Sequence, residues 1–224
     1  MSTAPHFTFA AAAEEAIAAL ADSIRGKNVL LTGTSLNGIG FEAARVIANY
    51  ANLLVITGYN DQRLKLSEDA IKREIPSANI RRLTLDLCSL AAVPTTPSPS
   101  GFGPFKLTVN NLENQIATDH VGPFLFTKLL TPKLLASTSS GYVPRVVFVA
   151  NALHPYGPGV DLATVKTPDA SKYTAPHAYI EARTVVAAFD PRIACSPGAY
   201  LDDSVVANER MSMYRADEVR DERG

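Results

Sequence analysis

Two cysteines, Cys88 and Cys195, are all that 224 residues offer, and they lie far apart in the chain. That is too few for a disulfide framework, and two distant thiols read as reduced groups in a reducing compartment, with the cytosol as the expectation. A long hydrophobic run is also missing. The apolar stretch from Phe7 to Ala13 is stopped by Glu14 and Glu15 and has no basic flank before it, which argues against both a secretory segment and a membrane span. Charge of one sign is absent too: 21 basic residues stand against 22 acidic ones, for a net charge of −1. The two signs interleave, so nothing in the sequence attracts nucleic acid or an anionic membrane. His120, His154 and His177 do not share one helix face and have no cysteine neighbours, so no metal site is expected. No serine sits in a nucleophile-elbow pattern.

What is present is a hydrophobic content of 46%, enough for one substantial core and for a single domain over residues 1–224. Ala16, Ile17, Leu20 and Ile24 mark the packed face of a leading helix within residues 1–26. Asn28 to Thr32 reads as a buried strand, followed by a glycine-rich segment and then by helical spacing from Phe41 to Ala48. Leu53 to Thr57 is a second apolar strand, Leu64 to Ile75 a second helix closed by Pro76, and Ile80 to Leu87 a third strand. Short apolar strands alternating with helices predict an α/β fold, a doubly wound parallel sheet of Rossmann type with right-handed crossovers.

Beyond this region the pattern loosens. Pro94 to Gly103 is a Pro/Ser-rich linker by composition. Leu112 to Leu135 predicts a long helix interrupted at Gly122-Pro123, and Pro144 to Ala150 a later strand. A helix over Ala178 to Ala188 and a short strand near Ile193 to Ser196 follow. The tail from Asp202 to Gly224 is charged and weakly patterned, and little order is expected there.

The segment Thr32-Gly-Thr-Ser-Leu-Asn-Gly-Ile-Gly40 carries the clearest chemistry. Three glycines fall where a strand feeds a helix. Gly33 permits the tight turn, Gly38 lets the backbone approach a diphosphate, and Gly40 lets helix and strand pack closely. Ser35 and Ile39 complete the cradle, and the helix N-terminus adds free N–H groups and a partial positive charge. At the end of the second strand, NAD-preferring folds place a carboxylate for the ribose 2′-OH. Here Tyr59 and Asn60 stand at that point with Arg63 just beyond, which leans toward NADP over NAD.

Together these residues resemble the short-chain dehydrogenase/reductase family, in its fungal and retinol-dehydrogenase-like branch. The likeness runs through residues 26–87, 103–135, 144–154, 178–183 and 196–198. It implies an enzyme that moves a hydride between NADP(H) and a small carbonyl or alcohol substrate. Asp86, in Leu85-Asp-Leu87, takes the adenine-contacting role, and Pro197-Gly198 the turn beside the nicotinamide. The family's catalytic set of Asn, Ser, Tyr and Lys maps onto Asp119, Asn151, Tyr179 and Arg183, so only the tyrosine is retained. The four-residue spacer between Gly33 and Gly38 is one longer than the family's commonest motif. The family's fourth strand has no counterpart between Asp86 and Phe105, and its C-terminal substrate-covering segment is not recognisable. The resemblance leaves room for a homo-oligomer. It also leaves a second reading of a different class, a degraded relative that binds a nucleotide or another protein without turnover, and a third, a truncated product that does not fold stably.

Overall fold

The computed structural model describes residues 11–89, 105–139, 142–149, 167–168, 201–202 and 205–206. Helices α1 (Ala13–Ala19) and α2 (Ala21–Ile24) precede strand β1 (Asn28–Leu31). Then come α3 (Ile39–Ile47), β2 (Leu53–Gly58), α4 (Asp61–Glu74) and β3 (Ile80–Thr84). The three strands pair in parallel in the order β1-β2-β3, with Leu30 level with Val55, and Leu54 with Ile80. Both crossovers advance in the same direction, so the right-handed rule puts α3 and α4 on one face of the sheet. This is a Rossmann-type α/β unit, as the sequence predicts.

Each element has a local cause. The alternate residues Leu54 and Ile56 of β2 are buried, together with Ile80 of β3. Against them pack Ala43, Ala44, Val46 and Ile47 of α3 and Leu64 and Ile71 of α4, spaced to share one helix face. Asn60 caps α4 by accepting from the Arg63 N–H at 3.0 Å, and Pro76 follows its end. The leading helices belong to the same core, since Ala16, Ile17, Leu20 and Ile24 are buried as expected. Each fully buried Ile or Leu in this cluster contributes about 1.5–3 kcal/mol.

Arg45 of α3 ties three helices together. It hydrogen-bonds Glu42 of its own helix and Glu14 of α1, and donates to Glu74 of α4 at 2.7 Å. These carboxylates push its pKa further above the ordinary arginine value.

Several expectations change. The third strand ends at Thr84 instead of Leu87, because the Asp86 carboxylate accepts from the Cys88 N–H at 2.9 Å and turns the chain. The long helix is not broken at Gly122-Pro123. It runs as α5 (Asn114–Ile116), a π-helical turn (Ala117–Val121) and α6 (Gly122–Ala136). In that turn the Gly122 N–H reaches back five residues to the Ala117 carbonyl, a register shift just ahead of Pro123, which has no N–H to offer. No strand forms over 143–149. Strand-forming residues become a strand only when a neighbouring ladder takes their backbone groups, and the described sheet stops at β1. In the tail a small antiparallel pair, β4 (Leu201–Asp202) with β5 (Val205–Val206), is present. The linker over 94–103, the helix over 178–188 and the strand near 193–196 lie outside the described residues.

Candidate functional site: the glycine turn and the carboxyl end of the sheet

The turn after β1 is built as the sequence proposes. Gly33 has φ +69°, left-handed backbone that an L-residue adopts only at a cost. A Cβ on Gly40 would lie 2.6 Å from the Gly33 carbonyl oxygen and 3.1 Å from that of Thr32, so only glycine lets α3 come this close to the strand end. A Cβ on Gly38 would lie 3.1 Å from the Ser35 carbonyl oxygen. Gly38 is the N-cap of α3 and brings no capping side chain, so among the described residues the first-turn N–H groups at Ile39 and Gly40 have no side-chain acceptor. A helix of nine residues starts there, and its positive pole lies at the turn.

Two features of the turn escaped the sequence reading. Thr34 is fully buried, and both its N–H and its Oγ1 donate to the Thr57 carbonyl at 3.2 Å, pinning the loop to the end of β2. Asn37 has φ +61°, a conformation that asparagine tolerates better than most residues, and this left-handed step takes up the extra residue between Gly33 and Gly38. A glycine-spacing argument carries no signal for the first. For the second, an Asn-Gly pair was the available hint.

At the end of β2, Arg63 Nη1 donates to the Tyr59 hydroxyl at 3.2 Å. Arg63 also lines a cavity of about 190 Å³ with Ser35, Leu36 and Leu66, so the structure brings together Ser35 from the turn and Arg63 from α4. Asn60 is used as the cap of α4. Nearby Arg82 is already engaged, with Asp61 at 2.7 Å and Glu68 at 2.8 Å.

Beyond β3, Asp86 holds the turn to Cys88. The Cys88 thiol lies 2.8 Å from Thr118 Oγ1 and 3.5 Å from Asn114 Oδ1, which joins the strand end to the long helix. Gly122 seals the same junction, since a Cβ there would collide with the Leu87 carbonyl. Burial raises the Cys88 pKa above the ordinary thiol value, with smaller raising contributions from the charges of Asp86 and Asp119. Asp119 sits in the π-helical turn. Burial, and then the charge of Glu113, raise its carboxyl above the ordinary aspartate value. Two buried hydroxyls in this region, Thr57 Oγ1 and Ser89 Oγ, have no hydrogen-bond partner among the described residues.

Asn151, Tyr179, Arg183, Pro197 and Gly198 lie outside the described residues. Among the described residues no group of His, Cys, Asp or Glu is arranged to hold a metal ion, and no helix is long and apolar enough to cross a membrane.

No protein-family profile matches the chain. Curated relatives do. The chloroplastic short-chain dehydrogenase TIC 32 A of Brassica napus is 31% identical over 170 residues, 67% of this chain and 52% of that protein. The polyprenol dehydrogenase of Mus musculus is 31% identical over 186 residues, 73% of this chain and 52% of that protein. The chain thus spans about half the length of these relatives. Among solved structures, a short-chain dehydrogenase from Salmonella enterica aligns over 62% of this chain and 63% of its own, with 22% identity and a TM-score of 0.47. A strand, glycine turn and helix with a buried threonine anchor, set in a parallel sheet and matched by relatives of this kind, lead to one assignment: the chain belongs to the short-chain dehydrogenase/reductase family.

Proposed function

We propose that this single-domain chain is an oxidoreductase that binds NADP(H) in preference to NAD(H) and transfers a hydride to or from a small carbonyl or alcohol substrate in the cytosol. The observation that carries the nucleotide half is the cradle around Gly33, Gly38 and Gly40, where α3 starts with no capping side chain. Those N–H groups and the helix pole are suited to a diphosphate. Ser35 and Arg63 share a cavity at the edge of this cradle, and no carboxylate stands at Tyr59 or Asn60. A guanidinium there favours a ribose 2′-phosphate over a free 2′-hydroxyl. The family resemblance gives Asp86, at the turn after β3, the contact to the adenine.

A bound nicotinamide supplies the hydride chemistry. The protein's part is to move a proton to or from the substrate oxygen, and the family resemblance gives that part to Tyr179, with Arg183 and Asn151 as its partners and Asp119 on the long helix. Nucleotide titration of the purified chain tests the reading. NADP should bind more tightly than NAD, and Arg63→Ala should reduce the difference; equal or reversed affinities would sink the preference.

The second reading, nucleotide binding without turnover, is favoured by Asp119. A carboxyl raised by burial in the π-helical turn is not the amide the family uses there. Arg183 also differs from a lysine in shape and hydration. Robust turnover of a carbonyl substrate by the unmodified chain, abolished in Tyr179→Phe, would exclude this reading. Binding of NADP with no turnover would support it.

A further inference from the structure

We propose that Asn37-Gly38, inside the glycine turn, is a site of spontaneous deamidation, a modification that puts a carboxylate into the cradle and weakens its hold on a diphosphate. The loss of diphosphate binding rests on the nucleotide reading above; the modification itself does not. Asn37-Gly38 is the one Asn-Gly pair in the sequence. The pairing matters because the attacking group is the backbone nitrogen of the next residue, and a glycine there has no side chain to obstruct the approach.

Three structural observations favour this asparagine. It is exposed in the turn, so water and hydroxide reach it. Its side chain has no hydrogen-bond partner among the described residues, whereas those of Asn49, Asn52, Asn60, Asn79 and Asn114 are all engaged. The loop is also held unevenly. Thr34 pins its first half to β2 through two hydrogen bonds, but the Gly38 N–H is restrained by a single one, to the Ser35 carbonyl at 3.1 Å. Breaking one neutral backbone hydrogen bond slows the attack by about tenfold at most.

The reaction consumes only water. The Gly38 N–H gives its proton to hydroxide, the nitrogen bonds to the side-chain carbonyl carbon of Asn37, and Nδ2 takes up a proton and leaves as ammonia. One water then opens the five-membered imide. Opening at the side-chain carbonyl leaves aspartate; opening at the main-chain carbonyl leaves isoaspartate, with the chain running through Cβ. Either product replaces a neutral amide with a carboxylate. Asn37 has φ +61°, and aspartate tolerates that conformation as asparagine does, so the aspartate product changes the charge of the turn and not its path. The new charge stands one residue before the N-cap of α3. It is drawn to the positive pole of the helix and repels the diphosphate that the same N–H groups serve.

Mass spectrometry of the full chain, aged near neutral pH and digested with trypsin, tests the chemistry without nucleotide. The peptide over 28–45 should gain the mass of an amide-to-acid exchange before any other asparagine-containing peptide. The gain should be faster in alkaline buffer, and its rate within about tenfold of that in the urea-unfolded chain. Asn37→Gly should remove it. An unchanged 28–45 peptide in the folded protein, at a time when the unfolded chain is fully converted, would overturn the proposal. NADP titration reads the consequence: Asn37→Asp should bind at least about tenfold more weakly than the unmodified chain, at the same melting temperature. Equal affinity would overturn the loss of binding. No NADP binding by the unmodified chain would count against the proposed function instead, and the mass measurement would still decide the modification site.

Discussion

Gly40 lies against the carbonyl of Gly33 so closely that a methyl group there would sit 2.6 Å from its oxygen. The contact joins the first turn of α3 to the end of β1 and sets the depth of the cradle. Gly40→Ala should therefore lose about 1–3 kcal/mol by overpacking, with nucleotide affinity falling alongside. Gly33→Ala meets no atom within 4 Å but keeps φ +69°, and should cost about 1–2 kcal/mol through backbone strain alone. Urea denaturation checks both. An unchanged midpoint for Gly40→Ala would refute the close approach.

Arg45 gives the fold a dependence on acid. Its hydrogen bond to Glu14 lowers that carboxyl below the ordinary 4.5, so the pair's contribution is present above pH 4.5 and lost as pH falls through the depressed value. Glu14 is largely exposed, and solvent screening keeps the effect small. Arg45→Met should flatten the fall in melting temperature between pH 6 and pH 3, and should free α1 first. Parallel melting curves for the two proteins across that range would contradict this.

Asp119 runs the other way. Its carboxyl is raised above 3.8 by burial and by Glu113, so the folded state holds its proton more tightly than the unfolded chain does. Its contribution to stability is then greatest below pH 3.8 and is lost as pH rises through the folded value. Asp119→Asn should stabilise the protein at pH 7 by roughly 0.5 kcal/mol, after allowing for partial exposure. The difference should vanish near pH 3, as thermal melts at the two pH values would show.

Cys88 should be an unreactive thiol. Its pKa is raised chiefly by burial, and the thiolate is the reacting species. In a Cys195→Ser background, labelling by a disulfide reagent at pH 7.5 should be at least about tenfold slower than for a free thiol, and should reach the free rate in urea. Fast labelling of the folded protein would show that the Cys88–Thr118 contact opens readily.

The sequence by itself determined the half of the fold built on β1, β2 and β3. Apolar runs at 28–32 and 53–57, helical spacing after each, and glycines at 33, 38 and 40 are local signals, and each appears in the structure within a residue or a few. The packed face of the leading helices was legible for the same reason, since periodic burial is written in periodic residues. Tertiary structure alone decided the rest. Thr34 became an anchor because the end of β2 lies across from it. Gly122 became a contact glycine because Leu87 passes beneath it, although spacing alone reads it as a helix break. Asn60 was claimed by the cap of α4, and Arg82 by Asp61 and Glu68, which left Arg63 facing the cavity. Residues 143–149 have the composition of a strand but no ladder beside them among the described residues. Pairing is a property of two segments, and one segment's sequence does not contain it.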